Sequence, residues 1–137
     1  LGKIPLKDIE ESIVQYSALG IKVMITELDI EILPRNFQSA DVNQRMQENA
    51  QANPYVNGLP DSVQQQLADD YAALFKLFLK HKDKINRITF WGVNDGQSWL
   101  NNWPIRGRTN YPLLFDREFK AKPAFYKVIE AKRDYNK

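Results

Sequence analysis

The chain has 137 residues, enough for one ordinary domain, and 43% hydrophobic with 26% charged residues reads as a soluble globular protein. A net charge of +2, with Lys and Arg scattered among acids, argues against a nucleic-acid partner. No apolar run approaches the ~20 residues that span a bilayer, and zero cysteines exclude disulfides and thiolate metal sites.

Residues 1–12 carry several charges and no apolar core, so no signal peptide is read there. The first residue is Leu1 rather than Met, which reads as a processed or excised piece. Residues 8–19 predict a helix: Ile9, Ile13, Tyr16 and Leu19 keep helical spacing, Pro5 precedes and Gly20 stops it. Residues 21–30, IKVMITELDI, are apolar at both parities up to Glu27, which predicts a strand buried on both faces. Residues 35–59 are polar and rich in Asn and Gln, an expanded excursion with a short helix expected near 42–51. Asp61 is expected to cap the next helix, with Gln64 at the capping-box position and Val63, Leu67, Tyr71, Leu74, Phe75 and Phe78 as its apolar stripe. Residues 87–93, RITFWGV, predict a second buried strand. A second long loop over 94–116 holds Trp99, Trp103 and Tyr111. Pro123 opens a last helix to about Arg133, with Phe125, Val128 and Ile129 facing inward.

Helices alternating with strands imply an α/β fold with a parallel sheet and right-handed crossovers. Two strands, each apolar on both faces, need neighbouring strands that this sequence does not contain. A (β/α)8 TIM barrel takes about 250 residues; this chain reads as its C-terminal part, about the last two strands and three helices.

Glu27 is the sharpest chemical signal. Strict alternation puts it on one face with Val23, Ile25 and Asp29, at the carboxyl end of the strand, where barrel active sites are built. A carboxylate in such a run is costly to bury without partners. The same spacing also fits a strand-end acid paired with a basic residue. Glu31 lies past the apolar run and reads as solvated, and His81, among lysines at a helix end, as a surface residue. Spacing alone makes Trp91 a core residue, and Arg106 and Arg108 exposed loop arginines. No cluster of acids or histidines suggests a metal site.

Three segments carry a resemblance. VMITELDI (23–30), ITFWGVNDGQSWL (88–100) and YPLLFDREFKAKPAFYKVIEA (111–131) resemble, in that order, the nucleophile strand, the eighth strand and the closing strand-to-helix stretch of glycoside hydrolase family 10. Members of that family are mainly endo-1,4-β-xylanases. The resemblance implies retaining hydrolysis of internal xylosidic bonds in xylan, with Glu27 as nucleophile and no cofactor. It implies that Asp29 orients a histidine outside this chain, and that Trp91 and Trp99 cover sugar-binding subsites. The family's acid/base lies in a Trp-x-x-x-Asn-Glu type motif, which this sequence lacks, so the N-terminal remainder of the barrel is the expected partner. Xylan or a xylo-oligosaccharide is the expected ligand, and an extracellular or periplasmic setting follows from it. Trp103 either lines a subsite or pins down its own loop, Arg106 and Arg108 have sugar hydroxyls or substituents as their alternative to plain exposure, and Tyr55 and Asn94 receive no role. A non-catalytic carbohydrate-binding fragment and a fragment that self-associates through open sheet edges are the competing readings.

Overall fold

The computed structural model describes residues 3–33, 53–103 and 106–137. The helix expected near 42–51 and most of the expanded excursion lie outside the described residues. The element order is α1 (Leu6–Ala18), β1 (Val23–Leu28), α2 (Asp61–Lys80), β2 (Ile85–Phe90), a 3-10 turn (Asp95–Gln97) and α3 (Pro123–Tyr135).

Helix α1 stops where Gly20 takes a φ of +80°, the left-handed backbone that glycine adopts without a Cβ clash, and its N–H returns to the Ser17 carbonyl. Ile9 and Ile13 reach the core, but Tyr16 and Leu19, expected on the same stripe, are 56% and 74% exposed. The described part of the chain covers only one edge of this helix. Helix α2 is the central pillar. Leu67, Ala68, Tyr71, Leu74 and Phe78 are buried along its predicted stripe, with Val63 and Phe75 partly buried beside them. The expected capping box is not formed. Pro60 occupies the cap position with extended backbone and no side-chain bond, and Asp61 is the first helical residue, where its charge meets the positive end of the helix dipole.

Strands β1 and β2 pair in parallel, with α2 as the crossover. Their register slips twice. Val23 opposes Ile85 but Met24 opposes Arg87, which leaves Asn86 as an extra residue in β2; Ile25 opposes Ile88 but Leu28 opposes Phe90, which places the second extra residue in β1 at 26–27. The two bulges offset one another, and they reset the side-chain phase. Val23, Ile25 and Leu28 pack toward the helices, as do Ile85, Ile88 and Phe90. Met24 is half exposed on the other face. The strands predicted to be buried on both faces are therefore covered on one, because the described residues form a sheet of two strands only.

Helix α3 begins at Pro123, whose fixed φ suits the first helical position. Its inner stripe is Ala124, Phe125, Val128 and Ala131. Ile129, expected inside, is 40% exposed, since one residue beyond Val128 turns it about 100° around the axis. Tyr71 ties α2 to the loop before α3. Its hydroxyl donates to the Pro112 carbonyl at 2.6 Å, and burial, then the charges of Asp29 and Asp95, push its pKa far up, so it remains a donor. Among the described residues no helix is long and apolar enough to cross a membrane.

Candidate active site

Strict alternation would turn Glu27 toward the helices with Val23 and Ile25. The bulge at 26–27 prevents this: Leu28 takes the buried position, and Glu27 is exposed at the carboxyl end of β1. Correcting the phase moves Glu27 off the face shared with Val23 and Ile25. Glu27 is thus left uncovered by the described residues. The backbone N–H of Trp91 donates to the carbonyl of Leu28, the residue after Glu27, at 3.1 Å. At Gly92 the chain leaves β2 with a φ of +142°, which residues with a Cβ rarely adopt, and a Cβ there would meet Leu113 Cδ1 at 2.8 Å. Trp91 is 48% exposed, so the described residues do not bury it.

Beyond Glu27, the next two acids at even spacing face the Trp loop. Asp29 Oδ2 accepts from the Trp99 indole N–H at 2.9 Å. Within this chain, Asp29 holds a tryptophan. Trp99 is 44% and Trp103 39% exposed, and their rings lie 5.1 Å apart with a tilt of 44°. Glu31, expected to be solvated, instead pairs with Arg108 at 3.3 Å, their side chains 10% and 1% exposed. Arg108 is thus buried rather than the exposed loop arginine expected; Arg106 is exposed.

The loop carrying these tryptophans is built on an ion pair that sequence reasoning missed. Asp95 and Lys122 meet at 2.8 Å, and both are buried. Asp95 Oδ1 also accepts from the Leu113 N–H, and Lys122 also donates to the Tyr111 carbonyl. Burial pushes the Asp95 carboxyl up and the Lys122 ammonium down, and each charge opposes the shift of the other. Asn94, buried, accepts the Gly96 N–H and starts the 3-10 turn. Asn101 donates to the Asp95 carbonyl, and Arg117 bridges the Asn101 side chain and the Asn110 carbonyl. The Asn94-Asp95-Gly96 run was the available turn signal; nothing in it pointed to Lys122. Residues on the far side of the long excursion dock here too. The Asn53 amide donates to the Gly107 carbonyl and accepts the Thr109 N–H, and the Tyr111 hydroxyl donates to the Tyr55 carbonyl.

His81 also departs from expectation. It is 8% exposed, and its Nε2 lies 2.7 Å from Glu10 Oε1, which also accepts from Lys80. It caps the end of α2, in the turn that leads into β2, so the parallel sheet puts it at the opposite end from Glu27. No group of three or more His, Cys, Asp or Glu among the described residues could hold a metal ion.

The arrangement is an exposed carboxylate at the end of one strand and, past the end of the neighbouring strand, exposed indoles. The sequence profile of glycosyl hydrolase family 10 matches residues 1–131. The chain belongs to glycosyl hydrolase family 10. It is 46% identical over 127 residues to endo-1,4-beta-xylanase A of Xylanibacter ruminicola, covering 91% of this chain and 34% of that protein. It is 37% identical to a thermostable celloxylanase of Thermoclostridium stercorarium, covering 94% of this chain and 30% of the relative. A solved GH10 endoxylanase retrieved from a sugarcane soil metagenome superposes with a TM-score of 0.84 at 42% identity, covering 95% of this chain and 36% of that one. The chain therefore spans about a third of the length of the family 10 relatives it matches. It is a C-terminal portion of a family 10 (β/α)8 TIM barrel, as the strand–helix order suggested.

Proposed function

We propose that this chain supplies the nucleophile half of a retaining endo-1,4-β-xylanase that cuts internal bonds of xylan. The observation that carries the reading is Glu27, turned by the β1 bulge to the open end of the sheet beside Trp91 and the Asp29–Trp99 hydrogen bond. In a retaining glycosidase one carboxylate attacks the anomeric carbon and forms a glycosyl-enzyme intermediate. A second carboxyl about 5–5.5 Å away protonates the leaving oxygen, then activates water. Glu27 takes the first role. Asp29 stands one residue past the end of β1 and acts through orientation, holding Trp99 within this chain and a histidine contributed by the N-terminal remainder of the barrel. That remainder also brings the acid/base. Trp91 and Trp99 offer flat apolar faces to the C–H faces of sugar rings. The whole chain, residues 1–137, is read as one partial catalytic domain. No cofactor takes part, and a polymeric substrate places the enzyme outside the cytoplasm.

In the complete barrel carrying this sequence, Glu27→Ala abolishes xylan hydrolysis while the circular dichroism spectrum is retained, and NMR of the fresh wild-type product shows the β anomer. Wild-type-like turnover by the variant, or an α product, sinks the reading. The exposed indoles also favour a second reading, sugar binding without cutting. It requires that the wild type hold xylohexaose intact and that Glu27→Gln leave that binding unchanged.

A further inference from the structure

The acids at 27, 29 and 31 do different work. Glu27 is exposed, whereas Asp29 and Glu31 reach two separate points of the loop that carries Trp99 and Trp103. Asp29 accepts from the Trp99 indole. Glu31 pairs with Arg108, whose carbonyl in turn accepts the Asn102 N–H at 2.9 Å. Asn102 stands immediately before Trp103, in left-handed backbone with a φ of 60°, and its side-chain oxygen accepts the Gly107 N–H at 2.9 Å. Trp103 then packs on Trp99. The contacts form a closed circuit that leaves the segment following β1 at Asp29, passes through Trp99, Trp103, Asn102 and Arg108, and returns to that segment at Glu31.

A buried ion pair is a poor device for stability alone, because desolvation offsets most of its attraction and a well-packed apolar pair does as well. Its advantage is geometric. Arg108 carries a rigid planar guanidinium, and Glu31, which it meets through Nη1, lies four residues from Glu27 on the segment that continues β1. We infer that Arg108 is a positioning residue: through Glu31 it fixes Trp103 against Trp99 and sets the height of this aromatic wall relative to Glu27, without touching the sugar. Trp103 thereby joins Trp99 as a saccharide-contacting face. The inference rests on the proposed xylanase reading of the site.

The test uses the complete barrel in wild-type form, as Arg108→Lys and as the double variant Glu31→Gln/Arg108→Met. The double variant removes both charges together, so no unpaired ion is left buried. Hydrolysis of xylohexaose is measured alongside the indole N–H resonances and the ring-to-ring NOEs of Trp99 and Trp103. The double variant raises KM about tenfold and keeps kcat within about twofold, because a wall that holds ground state and transition state alike contributes to KM only. The Trp99–Trp103 NOEs weaken, and the Trp99 indole resonance moves. Arg108→Lys keeps the charge but loses the fork, and gives a rise in KM of about threefold; it carries the test alone should the double variant not fold. Wild-type KM with unmoved indole resonances overturns the proposal, and so does a fall in Tm with no change in KM. A wild-type barrel that does not cut xylohexaose refutes the xylanase reading instead, and the resonances and NOEs still decide whether Arg108 positions the pair.

Discussion

At the carboxyl end of the sheet, one hydrogen bond joins Asp29 to Trp99. Trp99 presents an exposed ring and uses its N–H on Asp29. Trp99→Ala therefore raises KM for xylohexaose by about tenfold, the scale of one lost stacking surface of roughly 1–2 kcal/mol, with a smaller effect on thermal stability. An unchanged KM removes Trp99 from the subsites. Far from this end, Glu10 accepts from Lys80 and His81, and these bonds hold its carboxyl below the ordinary value of 4.5. A lowered carboxylate stabilises the fold above the ordinary value and loses that contribution as pH falls below 4.5 through the folded value. Glu10→Gln thus lowers Tm at neutral pH, and the gap between variant and wild type closes on acidification. A gap that widens toward low pH contradicts this. Glu10 and His81 come from separate helices, and the lysines flanking His81 hid the pairing: neighbours in sequence suggested a solvated end, whereas the partner arrives from α1.

At the scale of elements, the helices were legible because amphipathic spacing is a property of one segment. The stripe of α2 was readable residue by residue, and the start of α3 followed from Pro123. The strands were legible in place but not in phase. A bulge exists only between two strands, so IKVMITELDI carried no mark of the slip at 26–27 that turns Glu27 outward. The loop architecture was hidden for a related reason: Asp95 and Lys122 flank a turn-rich stretch whose composition reads as polar surface, yet the pair is its buried core. Breaking that pair leaves one charge buried and unpaired. Lys122→Met should therefore destabilise the fold by about 3–5 kcal/mol, and Asp95→Asn/Lys122→Met should recover part of the loss. Urea unfolding of both variants checks this; equal midpoints for the single variant and wild type would show that the pair does not hold the loop.

At the scale of the whole molecule, the described sheet has two strands and leaves both outer edges without partners. Met24, Ile21 and Tyr16 stand half exposed around the α1–β1 side. Unpaired edges and apolar faces of this kind recruit other chains. The strand–helix order announced an incomplete barrel, and the family 10 match over a third of its relatives' length agrees. The isolated chain should run as an oligomer in gel filtration and become a one-to-one complex when refolded with the N-terminal part of the barrel. A stable monomer that ignores that partner would contradict the partnership. The central claim concerns a single covalent bond, and a trapped intermediate tests it most directly. The complete barrel is incubated with an activated 2-fluoro-xylobioside, whose glycosyl-enzyme intermediate turns over slowly, and digested for peptide mass spectrometry. The account predicts one added 2-fluoro-xylobiosyl group on Glu27; a label on any other residue, or hydrolysis that proceeds with no label, would contradict it.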